Sequence, residues 1–525
     1  MRWDFPYRSQ RMPTIAANLV ATGHPLAAQA GLAAIAEGGT AADAAIAAAA
    51  ALTVVEPTAN GLGSDAFAIV WDGELLGLNS SGRSPAGLPR EHFDGATAMP
   101  RLGWDAVTVP GCVAGWAALH SKHGTLPFER LLEPAIRYAE RGFPVSPMAA
   151  AGWRRALTRY RDFPHWMETF APNGRAPSAG EVVRLPDHAA TLREIGRTRG
   201  ESFYTGSIAD RIDDAARKAG AAMRAADLAA HRPSWVDTWS IDYRGVTLHE
   251  IPPNGQGLAA LVALGILRHL DLRAMPADGA DSVHAQVEAM RAAFVDVHRF
   301  VADPDHAGDA PRRLLEPAYL EERAKSIRMD RTGAWTARDL PRSSTVYLCA
   351  ADAQGHMVSW IQSNYEGFGS GIVVPGTGIA MQNRGAGFTL ERGHPNEYAP
   401  AKRPFHTIIP GFLTRAGSPL AAFGCMGGAM QPQGHAQLVV RIVDQDLNPQ
   451  SAVDAPRWQV MEDGSVLLEP GFPEATLAAL AARGHRVSVD AAGSAFFGGA
   501  QVAWRADGAY VGASDPRRDG QAVGF

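Results

Sequence analysis

Hydrophobic positions recur along this chain with two periods. Up to about residue 340, most patterned stretches suit helices. "HPLAAQAGLAAIAEGG" places Pro25 where a first helical turn accepts it and stops at Gly38-Gly39. "TAADAAIAAAAALTVVEP" follows, with Thr40 and Asp43 at capping-box spacing and Pro57 just past the end. Residues 112–141 return to helix, and the charged middle, as in "DSVHAQVEAMRAAFVDVHRFV", is mostly helical in pattern. One early exception, "AFAIVWDGELLGLNSSG", reads as a hairpin about Asp72-Gly73. From Thr345 the period shortens to that of strands, and a glycine-rich, strand-like character continues through "GIVVPGTGIAMQN" and "TIIPGFLTR". A last helix is expected around "EATLAALAARGH" before the final strands. Sheets with helices segregated from them predict an α+β layered fold.

The hairpin after Thr345 fixes a register. "TVYLCAAD" and "HMVSWIQSNY" are joined by Ala353-Gln354-Gly355, a favoured loop with glycine in the left-handed position. This sets Asp352 opposite His356 and, stepping back, Thr345 opposite Ser363. Opposed side chains share a face, so the two hydroxyls are expected within reach of each other. A slip of one residue would separate them. Taken alone, such a pair also suits an ordinary stabilised hairpin.

Composition removes several function classes. The chain has 525 residues, 46% hydrophobic and 20% charged, with a net charge of −5 and no long run of one sign. A basic nucleic-acid surface is not indicated. Cys112, Cys349 and Cys425 are far apart and lack metal-ligand spacing. "GLGSDAF" lacks the third glycine of a dinucleotide fingerprint, and no HExxH occurs, so neither cofactor nor metal is expected. No apolar run reaches the length of a membrane span, and the opening segment has no apolar run of signal-peptide length. The expectation is a cytoplasmic protein with no membrane or nucleic-acid partner. His24, His394 and His435 read as structural.

Seven segments, in order along the chain, resemble the γ-glutamyltransferase family. They are "GHPLAAQAGLAAIAEGGTAADAAIAAAAALTVVEPTANGLGSDAFAIV", "VPGCVAGWAALHSKHGTLPFERLLEPAIRYAERGFPV", "STVYLCAADAQGHMVSWIQSNYEGFGSGIVVPGTGI", "AKRPFHTIIP", "GCMGGAMQPQGHAQ", "DAPRW" and "GASDPRRDG". The match covers nearly the whole chain and is weakest over 150–340. The resemblance implies an N-terminal-nucleophile hydrolase with a four-layer αββα sandwich. It also implies a precursor that cuts itself between Ser344 and Thr345. Residues 1–344 and 345–525 would stay together as large and small subunits of one composite domain. Thr345 would be the nucleophile. Its freed α-amine, with an ordinary pKa of about 8, would act as base. A homo-oligomer of such heterodimers is left open.

The same resemblance assigns further roles. Ser363 would orient Thr345, and Gly427 and Gly428 would stabilise the oxyanion through backbone N–H groups. Arg83, in "NSSGRSPAGL", matches the arginine that binds the substrate's α-carboxylate, a task its planar fork suits. Thr407 would help line the site. His406 stands where many relatives have a small hydroxyl residue; it either donates to a substrate carboxylate or is structural.

Three departures bear on the substrate. "QNRGAGF" replaces a "QMDDF"-like segment, so Ala386 and Gly387 stand where relatives hold the substrate's ammonium with acidic side chains, and Arg384 sits nearby. Tyr365 replaces an asparagine and would narrow the pocket. The stretch between Phe388 and Lys402 is short for a lid. A site with an arginine for an acid and no partner for an amine suits a small anionic amide lacking an amino group. The chain therefore looks like the oxamate amidohydrolase branch, with oxamate the leading candidate. The alternatives are a γ-glutamyltransferase or glutathione hydrolase, a cephalosporin or glutaryl acylase-like enzyme, and an unprocessed, non-catalytic relative.

Overall fold

In a computed structural model, the described residues are Tyr7, 11–334, 344–491 and 497–525. The change of pattern near residue 340 falls outside them. Two seven-stranded antiparallel sheets form the centre of the molecule. The first runs, edge to edge, through Gln521–Gly524, Leu19–Thr22, Val346–Ala351, Met357–Ser363, Asp65–Trp71, Leu75–Ser80 and Ser234–Val236. The second runs through Thr14–Ala16, Ala509–Ser514, Gly499–Ala506, Ser418–Met426, Gly411–Arg415, Val246–Glu250 and Trp239–Tyr243.

Side-chain alternation shows how the layers stack. Along Val346–Ala351, the residues Val346, Leu348 and Ala350 join a core with the helices Pro25–Ala36, Ala41–Val55 and Phe128–Arg141. Tyr347, Cys349 and Ala351 point the other way, into a core shared with Phe412, Ala422 and Ala503 of the second sheet. The outer face of that second sheet packs against Leu258–Leu267, Ala280–Phe300 and Met430–Val443. Helix, sheet, sheet, helix is the expected αββα order. Because both faces of each central strand are covered, their sequences read as near-continuous apolar runs.

Helix Ala41–Val55 is buried at every position. Alanine gives it high helix propensity with little bulk between its neighbours. Thr40 and Asp43 form the expected capping box, and the Asp43 carboxylate also accepts from Thr125 N and Leu126 N. Asp352 extends the capping: its Oδ2 accepts from Ala41 N at 2.8 Å, tying the hairpin turn to this helix.

Three elements differ from the sequence expectation. "WSIDYRGVTLHE", within the region expected to be mainly helical, forms the hairpin Trp239–Tyr243 and Val246–Glu250 about Arg244-Gly245. "GIVVPGTGIAMQN" contains only single bridges, Val373 to Ala380 and Gly63 to Met381, because Gly376 and Gly378 turn the chain at positive φ. Met430–Val443 is helical despite Pro432 and Gly434. Gly434 lies where a Cβ would sit 2.5 Å from Cys425 Sγ, so the helix needs glycine to lie close on the sheet.

Gly82 and Gly111 are both tightly confined against backbone carbonyls. A Cβ on Gly82 would stand 1.6 Å from Val109 O. Gly82→Ala is therefore expected to lower stability by about 3 kcal/mol or more, read as a shift in urea midpoint. An unchanged midpoint would contradict this packing.

Candidate active site

Thr345 lies at the end of the strand Val346–Ala351, on the face that looks between the sheets. The ladder pairs Val346 with Gln362 and Ala351 with Met357, which continues to Thr345 opposite Ser363. Gly355, at φ 96°, closes the loop as the hairpin register requires. Thr345 is 1% exposed and donates from Oγ1 to Ser363 Oγ at 3.2 Å.

Ser363 does more than meet Thr345. Its Oγ accepts from Tyr365 N at 2.8 Å and donates to the Ser344 carbonyl at 2.8 Å. Ser344 N in turn donates to Tyr365 O at 2.9 Å. Both sides of residue 344 are thus clamped, and the carbonyl of the Ser344–Thr345 peptide is polarised by the same hydroxyl that receives the Thr345 hydrogen bond. Tyr365 sits at φ 75°, an uncommon backbone state for a bulky residue. That conformation is what turns both its N–H and its carbonyl toward the 344/363 pair. Ser363→Ala is expected to slow any cleavage at residue 344 by about 100-fold, with Ser363→Thr much less affected, measured by gel time courses.

The second sheet brings the glycines toward this point. Ser359 Oγ donates to Phe423 O, and Gly424 abuts the Tyr347 ring. The strand Ser418–Met426 therefore runs toward Thr345 as it ends. Gly427 and Gly428 follow at φ 126° and 64° and lead into the helix Met430–Val443. The Gly427 carbonyl accepts from Met430 N. Peptide planarity then turns the Gly428 N–H away from the helix. Gln256 Nε2 donates to Gly428 O at 2.9 Å and to Thr407 O at 2.5 Å, tying this turn to the segment holding His406 and Thr407.

His406 has no ring nitrogen left over. Nδ1 accepts from Ile408 N, so the proton resides on Nε2, which donates to Asp65 Oδ2 at 3.0 Å. Burial holds its pKa well below the ordinary value, so the ring is neutral. This geometry fits the structural reading of His406. Asp65 also accepts from Gly82 N, Gly111 N and Gln382 Nε2. Burial pushes its carboxyl up to about 7, opposed first by the nearby Arg384 charge and then by the Gly82 and Gly111 N–H groups.

Arg83 lies partly exposed, donating from Nη1 to Asp303 Oδ2 at 2.7 Å and from Nη2 to Asp305 Oδ2 at 3.0 Å. A substrate carboxylate would have to displace or share these partners. Arg384, which the sequence shows as a charge near the missing acidic pair but to which no site role was given, is part of the polar centre. It is fully buried, lies over the Tyr365 ring at 4.2 Å, and donates from Nη1 to Thr407 Oγ1 at 2.7 Å. Tyr365, Arg384, Thr407 and Gln256 thus connect Ser363 to Gly428. An arginine beside the missing acidic pair was the available signal.

A cleft of about 260 Å³ reaches Ser344 and Thr345. Its other walls include Glu56, Arg155, Arg159 and Arg518. Burial pushes the Glu56 carboxyl up to about 8. Arg159 is paired with Glu366, and Arg155 and Arg518 add positive charge to the approach, which favours an anionic ligand. No helix among the described residues is long and apolar enough to cross a membrane.

The sequence model of the gamma-glutamyltranspeptidase family matches residues 27–525. The chain belongs to this family. It is a hydrolase of the γ-glutamyltransferase class. It is 37% identical to the oxamate amidohydrolase proenzyme of Klebsiella pneumoniae, over 96% of this chain and 97% of that protein. It is 35% identical to the glutathione hydrolase-like YwrD proenzyme of Bacillus subtilis, over 97% and 98%. The crystal structure of a cephalosporin acylase from Bacillus halodurans superposes with a TM-score of 0.94 at 48% identity, covering 100% of this chain and 99% of that one. The αββα sandwich is the fold of these N-terminal-nucleophile hydrolases.

Proposed function

We propose that the chain is a self-processing amidohydrolase that cuts itself before Thr345 and then cleaves the amide bond of a small acid lacking an amino group, with oxamate the leading substrate. The observation that carries this reading is the clamp at residue 344, where Ser363 Oγ links Thr345 Oγ1 to the Ser344 carbonyl. Attack of Thr345 Oγ on that carbonyl carbon, with its proton relayed through Ser363 to the Thr345 nitrogen as the 344–345 C–N bond breaks, would leave Ser344 as an ester on Thr345 Oγ that water hydrolyses. The products are residues 1–344 and a piece beginning at Thr345 with a free amine. The pieces would remain one unit, because Val346–Ala351 pairs with Leu19–Thr22 on one side and Met357–Ser363 pairs with Asp65–Trp71 on the other.

In turnover, the Thr345 amine would take the proton of Thr345 Oγ as it attacks the substrate's amide carbon. The tetrahedral oxygen would face the Gly427–Gly428 turn. Collapse would release ammonia, carrying that proton, and leave an oxalyl ester on Thr345. Water would then attack the ester, giving oxalate and restoring the hydroxyl. The proenzyme names of the relatives from Klebsiella and Bacillus subtilis support the self-processing step. The substrate reading rests on Ala386 and Gly387 at the positions where an ammonium would need acidic partners, and on the cationic cleft.

The likeness to the cephalosporin acylase favours a second reading, in which a longer amino-free acyl group such as glutaryl enters the same site. Ammonia release from oxamate, compared with turnover of a glutaryl cephalosporin amide and a γ-glutamyl anilide, separates these readings. Preference for the anilide would refute the amino-free substrate class.

A further inference from the structure

We propose that Arg384 seats the carboxylate of the acyl group, making it the residue that selects an anionic, amino-free substrate. This assignment deepens the function proposed above and rests on it.

Arg384 is a fully buried cation whose nearest carboxylates are already occupied. The Asp65 oxygens accept from Gly82, Gly111, His406 and Gln382. The Glu366 oxygens are taken by Arg101, Arg159 and Asn383. Asp65 and Glu366 act on Arg384 through space without forming an ion pair with it, and among the described residues only Nη1 of its guanidinium has a hydrogen-bond partner. Nε and Nη2, the edge that meets a carboxylate with two parallel N–H···O bonds, are buried without one among the described residues. Burying a charge is costly unless it is paired, and an unmatched donor on a charged group adds to that cost. A carboxylate supplied by the substrate would satisfy both.

The surroundings fix the fork. The Tyr365 ring lies against one face of the guanidinium, and Thr407 Oγ1 holds Nη1. Both contacts are part of the chain of residues that joins Ser363 to Gly428, which links Arg384 to Thr345 through Tyr365 and Ser363. A substrate α-ammonium would instead meet a like charge, since Ala386 and Gly387 offer no counter-charge.

The test compares processed wild type with Arg384→Met and Arg384→Lys on oxamate and on oxamide, its neutral counterpart. Self-cleavage to the same two fragments checks that each variant folds. R384M should lose on the order of 100-fold in kcat/KM on oxamate, mostly in KM. Its loss on oxamide should be at least about 20 times smaller. R384K, which keeps charge without the fork, should fall between. In parallel, oxalate binding by calorimetry should be measurable for wild type and lost in R384M. Equal losses on oxamate and oxamide, or oxalate binding unchanged in R384M, overturns the assignment. If wild type ignores oxamate, the proposed substrate is refuted and the oxalate arm still decides Arg384: binding lost in the variant supports it, and no binding by either protein refutes it.

Discussion

Thr345→Ala will leave the chain as a single full-length band on a denaturing gel, however long it is incubated, and without amidase activity. The expected loss is roughly 10⁴-fold or more, since one atom serves as nucleophile in both reactions. Thr345 Oγ1 is the hydroxyl aimed at Ser363, and Ser363 is the group on the Ser344 carbonyl. Removing it takes away the attacking atom and leaves the clamp. Thr345→Ser, which keeps the hydroxyl and alters only packing, should still cut, more slowly. A T345A chain that cuts at the same bond would show that the clamp is an ordinary strand-end contact.

Gly427→Ala should separate the two reactions. At φ 126° an L side chain is strained, and its Cβ would stand 3.1 Å from Gly498 Cα. The turn should shift and misplace the amides proposed for the oxyanion. The oxygen of the self-cleavage step is the Ser344 carbonyl, held by Ser363 rather than by this turn. The variant should therefore still yield two fragments, yet turn over substrate about 100- to 1,000-fold more slowly with little change in KM. Fragment yield and steady-state kinetics on one preparation read both. Loss of cutting in step with turnover would place the glycines in the first reaction as well.

The parts of this account legible in the sequence are those set by local rules. Thr40 and Asp43 cap a helix through contacts three residues apart. Gly355 fixes the hairpin loop, and the loop fixes which hydroxyl faces Thr345. Collinear motifs carried the family and, through it, the αββα order. Elements set by tertiary packing were not legible. The hairpin 239–250 has only short alternating runs, and its place is decided by pairing with Gly411–Arg415. Helix Met430–Val443 contains a proline and a glycine that argue against it locally, and close packing on Cys425 explains the glycine.

The polar centre shows the same division. His406 was open to two readings from its neighbours alone. Its tautomer follows from Ile408 N on one nitrogen and Asp65 on the other, a contact across more than three hundred residues of sequence. Arg384 was visible as a charge out of place. That it is buried, and that Asp65 and Glu366 are already committed elsewhere, depends on the assembled layers. Propensity and spacing describe neighbours along the chain, whereas vacant hydrogen-bonding capacity is a property of the packed interior.

N-terminal sequencing of the smaller fragment tests the central claim most directly. Purified wild-type protein, incubated until a second band accumulates, should give a small fragment reading Thr-Val-Tyr-Leu-Cys-Ala-Ala-Asp from residue 345. A fragment starting at any other residue, or a chain that stays whole, would contradict Thr345 as a nucleophile created by cleavage.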